Sequence, residues 1–354
     1  MRLPFGKVPS EILEAYVYPY LGAERSDVIL GPARGEDAAV VEAGKSLIVS
    51  SCDPISGALS HIGWLAVNIS ANDVSTLGVK PRWFHSCILL PEGSDMEDLA
   101  AVSRQIHEAA KELGIAVIGG HSEVTPGLSH PVVVGFCMGV ASEGRYVKSS
   151  GAKPGGTIIL SKGVAIEGTA IICADKAEQV RRILGEEAWR KGFEYIKMIS
   201  VVKEALAAFN FGGVQAMHDP TEGGVAGGLH EIADASRCGF KIYEDRLLIR
   251  PETRRICEAF KLDPLKLISS GALLIVADED KAEPLVKHLE GIGVPASIIG
   301  EVVEDPSHRR IVKLNGEEQD LTRPEMDELW KIPLGDPQRY GFNPSSPPRF
   351  RGES

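Results

Sequence analysis

The sequence predicts a mixed α/β fold in two domains, and three observations carry that prediction. A chain of 354 residues with 44% hydrophobic content holds more apolar material than one average domain needs. From Ala38 onward, short β-branched runs alternate with longer stretches of helical periodicity. The stretch SSGAKPGG, 149–156, then sets Gly, Ser and Pro immediately before a fresh apolar run, Thr157 to Leu160. A first domain is therefore expected at 1–150 and a second at 151–335. The Pro- and Ser-rich segment 336–354 is expected to be an unstructured tail.

The elements follow in order. Ser10 is a candidate N-cap for a helix carrying Ile12, Leu13, Tyr16 and Val17, disturbed near Pro19 and ended at Gly22. Ala38 to Val41 and Leu47 to Ser51 flank the turn signal at Gly44 and Lys45 and read as a hairpin. Apolar positions at Ile62, Leu65, Ala66, Ile69 and Leu77 predict a helix from about Gly63 to Leu77, stopped by Gly78 and Pro81. Asp95 and Gly114 bracket a second helix, Met96 to Leu113. Strands are expected at Ile115 to Ile118 and Val132 to Val140, with GGHSEVTPG as a loop between them. The second domain shows helical patterns at Ala188 to Phe209, Glu222 to Ser236 and Ala282 to Glu290. Its strands are expected at Ala272 to Ala277 and Ala296 to Ile299.

Charge and cysteine usage narrow the function classes. A net charge of -11 argues against a nucleic-acid groove, because phosphate backbones are held by clustered Lys and Arg. The six cysteines stand singly, without CxxC pairs, as free thiols of a reducing compartment do. No signal-peptide pattern and no apolar run of membrane-spanning length is present, so the expected setting is the cytoplasm, away from membranes.

Four clusters could carry chemistry. In GEDAAVV, 35–41, Glu36 and Asp37 stand at the mouth of a strand, and Asp53 is expected at the end of the next. Hard carboxylate oxygens suit Mg²⁺, which takes one or two of them and fills its remaining positions with water and substrate phosphate; a surface turn explains either segment equally well. In AVNISANDVSTLG, Asn68, Asn72 and Thr76 recur at i, i+4 and i+8, with Asp73 beside them. Such poor helix formers are an uneconomical way to build a merely solvated face. In IGGHSEVTPG, Gly119 and Gly120 permit close backbone approach to a ligand and present His121 and Glu123. In MHDPTEGGVAGGLHEIA, 217–233, Asp219 precedes Thr221, a candidate N-cap, and a helix opening on Gly223, Gly224, Gly227 and Gly228. Each internal Gly costs about 1 kcal/mol, so a backbone close to a phosphate, or tight helix packing, is the alternative pair of reasons. No Walker loop, dinucleotide fingerprint or protein-kinase motif is present, so a nucleotide would have to be reached through metal.

These clusters, in this order, resemble the superfamily of aminoimidazole ribonucleotide synthetase, selenophosphate synthetase, thiamine-monophosphate kinase and the hydrogenase maturation factor HypE. GEDAAVV, Asp53, the NxSxND helix, GGHSEVTPG, DPTEGGVAGGLHEIA and SSGALLI, 269–275, carry the resemblance over roughly residues 5 to 330. It implies a PurM-like fold: an N-terminal mixed sheet with helices that forms a barrel in a homodimer, and a C-terminal α/β sandwich. It implies ATP and Mg²⁺ as cofactors, with Asp37, Asp53, Asp73 and Asp219 as metal-side acids. Asp53, Asp219 and His121 become the catalytic candidates; Asp37, Asn68, Asn72, Thr76, Gly119, Gly120, Thr221, Gly223 and Gly224 the nucleotide-side ones. The wording is most like HypE, a family that uses ATP to dehydrate a carbamoylated C-terminal cysteine in hydrogenase maturation. This sequence departs from that family at its end, PPRFRGES, where its last cysteine is already Cys257. His121 also stands where most relatives would carry a carboxylate. The expected function is thus HypE-like ATP-dependent activation of an amide or carbonyl oxygen or another acceptor, with a maturation partner protein. A small-molecule kinase or synthetase of the same superfamily and a non-catalytic nucleotide-binding maturation subunit are the alternatives.

Overall fold

The computed structural model describes residue 3 and residues 6–141 and 144–332; the expected tail at 336–354 lies outside the described residues. The helices are α1 (Ser10–Tyr16), α2 (Ile62–Thr76), α3 (Met96–Leu113), α4 (Ile166–Asp175), α5 (Ala177–Leu184), α6 (Glu186–Phe193), α7 (Val202–Phe211), α8 (Gly224–Ser236), α9 (Pro251–Phe260) and α10 (Glu279–Gly291). The N-terminal strands are β1 (Val28–Leu30), β2 (Ala39–Ala43), β3 (Ser46–Ile55), β4 (Pro81–Leu90), β5 (Ala116–Val124) and β6 (Val132–Ala141). The C-terminal strands are β7 (Thr157–Ser161), β8 (Val214–His218), β9 (Gly239–Tyr243), β10 (Leu274–Ala277), β11 (Ala296–Val303), β12 (Arg309–Val312) and β13 (Glu318–Asp320). Two sheets result, a six-stranded one ordered β1-β2-β3-β6-β4-β5 and a seven-stranded one ordered β13-β12-β9-β11-β7-β10-β8. The mixed α/β class and the two-sheet architecture are those the sequence predicts.

The N-terminal sheet is antiparallel except for β4 against β5, which run parallel. Along β6 alternate residues Val133, Gly135, Cys137 and Gly139 turn inward to α2, and the glycines let that helix lie close. A Cβ on Gly135 would stand 2.5 Å from Ser70 Oγ and 2.6 Å from the Ala66 carbonyl. Helix α2 is buried at every position except Trp64, wedged between this sheet and the C-terminal half. The stripe of Asn68, Asn72 and Thr76 is therefore enclosed. Helix α3 is built as its sequence dictates: the Asp95 carboxylate accepts from Glu97 N and Asp98 N, Asp98 answers the Asp95 amide, and Gly114 ends it at φ 68°.

The structure corrects several local expectations. GGHSEV is a strand rather than a loop, because β5 continues through it, paired with β4 from Trp83/Ala116 to Leu90/Val124. Gly120 accommodates that neighbour: an added Cβ would strike the Ser86 carbonyl oxygen. Strand β3 runs on to Ile55, which places Asp53 inside it rather than at its end. The predicted helix from Ala188 to Phe209 is broken into α6, a 3₁₀ turn at Glu194–Met198 and α7. Ser10 lies inside the first turn of α1, whose N-cap is Pro9. Thr221 is likewise no N-cap; Gly223, at φ 82°, fills that position of α8.

Candidate active site

Strand β3, helix α2 and the end of β8 converge at one point, and each delivers a carboxylate. Alternation along β3 turns Ser51 and Asp53 to the same side, toward α2. Ser51 Oγ stands 2.5 Å from Asp73 Oδ2 and 3.0 Å from Asp53 Oδ2, tying a strand acid to a helix acid. Asp219 follows β8 directly and is 1% exposed, with no partner for its carboxylate oxygens beyond the neighbouring Asp73 carboxyl. Asp37, just ahead of β2, completes the set, with Ser149 Oγ 3.2 Å from its Oδ2.

The electrostatics are those of acids crowded without enough cations. Burial, then the neighbouring Asp53 and Asp219, push the Asp73 carboxyl well above the usual range. Burial, then Asp37 and Asp53, raise Asp219 to about 7, against the lowering pull of His218. A hard divalent ion placed among these four carboxylates would cancel their mutual repulsion. Among the described residues no three or more His, Cys, Asp or Glu side chains stand close enough together to hold a metal ion as they are.

A second line of groups reaches the acids from the opposite side. Lys7 Nζ stands 2.6 Å from Glu231 Oε1, His218 Nε2 lies 2.8 Å from Glu231 Oε2, and His218 Nδ1 lies 2.6 Å from Asp37 Oδ1. Burial alone would lower the His218 pKa, but Asp37 and Glu231 outweigh it and hold the ring cationic. For Glu231, burial is overcome by Lys7 and His218, which keep it ionised. Lys7, Ser51, Ser149, His218 and Glu231 are the members that sequence reasoning missed. A signal existed for two of them: His218 adjoins Asp219, and Glu231 is a charge inside a small-residue helix that has a buried face.

The remaining candidates are not all brought here. Both ends of the Asn72 amide are taken by backbone, with Nδ2 donating to Ile199 O at 2.9 Å and Oδ1 accepting from Val201 N at 2.8 Å. Asn68 donates back to Trp64 O, and Thr76 Oγ1 to Asp73 O. Gly223 N donates to Asp327 Oδ2 at 2.6 Å and Gly224 N to Thr221 O at 3.0 Å, so neither amide is free for phosphate. A Cβ on Gly224 would come within 2.5 Å of Leu267 O, which gives tight packing as the reason for that glycine. Gly119 and Gly120 lie on β5, as does His121, whose Nε2 is 2.9 Å from Glu123 Oε2 on an exposed strand. Two strands, β6 and β4, separate β5 from β3, so His121 lies roughly 14 Å away across the sheet, at about 4.8 Å per strand.

A 340 Å³ cavity opens beside this line, between the N-terminal segment and the start of α8, with Lys7, Glu222, Glu231 and Asp327 among its walls. Among the described residues no helix is long and apolar enough to cross a membrane.

Comparison with known proteins gives the same architecture. The family model for the AIR synthase related protein N-terminal domain matches residues 35–141, and that for its C-terminal domain matches 153–313. Carbamoyl dehydratase HypE of Escherichia coli K12 is 30% identical over 92% of this chain and 94% of its own length. The crystal structure of a HypE–HypF complex aligns with TM-score 0.72 and 26% identity, covering 88% of this chain and 99% of that one. HypE in complex with ATP shares the fold at TM-score 0.68 and 21% identity, over 95% and 98% of the two chains.

Proposed function

Because the chain belongs to the AIR synthase related family and has carbamoyl dehydratase HypE proteins among its relatives, we propose that it is a HypE-like, ATP- and Mg²⁺-dependent protein. Its task in this reading is to activate an amide or carbonyl oxygen, or to phosphorylate another acceptor, during metallocentre maturation. The observation that carries the reading is Asp219: a buried carboxylate with no cationic or backbone hydrogen-bond partner, set among Asp53, Asp73 and Asp37.

Asp53, Asp73 and Asp219 would hold the metal, and when bound, Mg²⁺ would neutralise phosphate charge. The chain's own residues do the rest. Ser51 Oγ sits between Asp53 and Asp73 and donates its one proton to either. His218, fixed between Asp37 and Glu231, offsets part of the negative field without competing for Asp219. Lys7 anchors the outer end of that line at the cavity. In this reading the acceptor group is carried by another molecule; Cys257, the last cysteine of the sequence, is 2% exposed, and burial pushes its pKa to about 12. The HypE–HypF structure makes a partner protein a reasonable carrier.

Strand β5 is exposed at every residue, with Val117 at 48%, Ile118 at 50% and Val124 at 53%. An apolar edge of that kind invites pairing. In our reading it joins two copies of the chain and encloses the His121–Glu123 pair, and sedimentation velocity should give a dimer that Ile118→Glu converts to monomer; a monomeric wild type would contradict this. The activity itself is tested by incubating the protein with γ-labelled ATP, Mg²⁺ and a panel of carbamoylated peptides and metabolites. Acceptor-dependent phosphate release, seen by mass spectrometry, is expected. Release that no acceptor stimulates would leave the binding but remove the chemistry.

A further inference from the structure

Asn72 stands next to Asp73, is completely buried, and directs both its amide nitrogen and its amide oxygen to the other half of the molecule. The segment it grips, 199–201, is the break between the 3₁₀ turn Glu194–Met198 and α7, where a helix end and a helix start leave backbone groups without helical partners. An asparagine amide offers a donor and an acceptor side by side, the pattern of a peptide group, and so can pair with that backbone as a strand would.

The same segment is held from its other side. Lys162 Nζ, 2.7 Å from Glu204 Oε1, donates to Met198 O at 2.8 Å and Ser200 O at 2.5 Å. Lys162 follows β7, which pairs with β10 at Leu160/Leu274, and Leu274 pairs in turn with His218 of β8. Asp219 is the next residue. Hydrogen bonds, strand pairing and the short stretches of backbone between them therefore connect the residue beside Asp73 to the residue beside Asp219.

We propose that Asn72 is a positioning residue: its paired bonds to Ile199 and Val201 fix how α2 sits against the C-terminal half, and thereby set Asp73 against Asp219. This rests on the metal site of the preceding section. Substitution by Asp would set a carboxylate oxygen against the Ile199 carbonyl, and Ala would leave both backbone groups buried and unpaired. A natural control lies two turns earlier on the same helix, where Trp64 Nε1 donates to Ile196 O at 3.1 Å. Trp64→Phe removes a bond between the same two elements without adjoining an acid.

The test titrates the full chain with Mn²⁺ alone, following free Mn²⁺ by electron paramagnetic resonance, with thermal melts in parallel. Asn72→Ala is expected to weaken Mn²⁺ binding about tenfold or more, the scale of one lost buried hydrogen bond. Trp64→Phe should lower the melting midpoint yet leave Mn²⁺ affinity within about threefold, a difference of well under one such bond. Should Asn72→Ala fail to fold, Asn72→Ser, which removes the paired bonds without adding charge, carries the same comparison. Equal affinity in wild type and the Asn72 variant overturns the inference, as does equal weakening in the Asn72 and Trp64 variants, which would make the contact merely structural. A wild type that binds no Mn²⁺ would instead strike the metal site itself.

Discussion

His230 lies on α8 with its Nε2 2.7 Å from Leu321 O and its Nδ1 2.7 Å from Arg309 Nη1. The carbonyl needs a donor and the guanidinium an acceptor, so the ring fits only as the neutral form protonated on Nε2. Burial lowers its pKa to about 4, aided by Arg309 and Arg323 and opposed by Asp234 and the Leu321 carbonyl. The sign follows from linkage. The unfolded chain takes up the proton near the ordinary value of 6.5 and the folded chain only near 4, so stability is complete above 6.5 and is lost as pH falls between them. At pH 5 the loss is about 2 kcal/mol, from the ratio of the two protonation polynomials at about 0.59 kcal/mol per natural-log unit. His61, lowered to about 4 by burial alone, should add a comparable loss. Urea unfolding followed by tryptophan fluorescence at pH 7 and pH 5 measures it, with His230→Gln as reference because its amide can supply both bonds without titrating. The raised carboxyls of Asp73, Glu167 and Asp327 pull the other way on acidification, but they are common to both proteins and cancel in the difference. Wild type should lose about 2 kcal/mol more than the variant between the two pH values. Parallel losses would show that the histidine is not held neutral.

Two structural predictions follow from packing and charge. Glu204→Gln should destabilise by about 3–5 kcal/mol, since Lys162 would remain buried as an uncompensated cation; a loss under about 1 kcal/mol in chemical denaturation would contradict this. Gly135→Ala should cost about 1–3 kcal/mol, because its methyl meets Ser70 Oγ and the Ala66 carbonyl and drives α2 off the sheet; an unchanged melting midpoint would show that the helix can yield.

What could be read from the sequence was what local chemistry decides. Asp95 and Gly114 fix both ends of α3, and the Gly44–Lys45 turn fixes the β2–β3 hairpin. Where long-range pairing decides, the reading failed. GGHSEVT carries the composition of a loop, and only its partner β4, itself unforeseen behind Pro81, makes it a strand. The run from Ala188 to Phe209 keeps helical periodicity through a break that exists because Asn72 and Lys162 claim the backbone at 198–201. At the site, acids were recognisable one by one, but Asp37, Asp53, Asp73 and Asp219 come from four segments, and their meeting depends on how α2 docks against both sheets. Gly224 has a reason that its sequence neighbours do not disclose: a Cβ there would meet the Leu265 and Leu267 carbonyls, a long-range contact.

If Asp37, Asp53, Asp73 and Asp219, two of them buried and two half-buried, take a nucleotide through a divalent cation, isothermal calorimetry with ATP shows it most directly. The wild type should bind ATP with Mg²⁺ present and lose most of that affinity in EDTA, and Asp219→Asn should bind at least about tenfold more weakly, about 1.4 kcal/mol. Equal affinity for ATP in wild type and Asp219→Asn, or binding indifferent to Mg²⁺, would contradict the account.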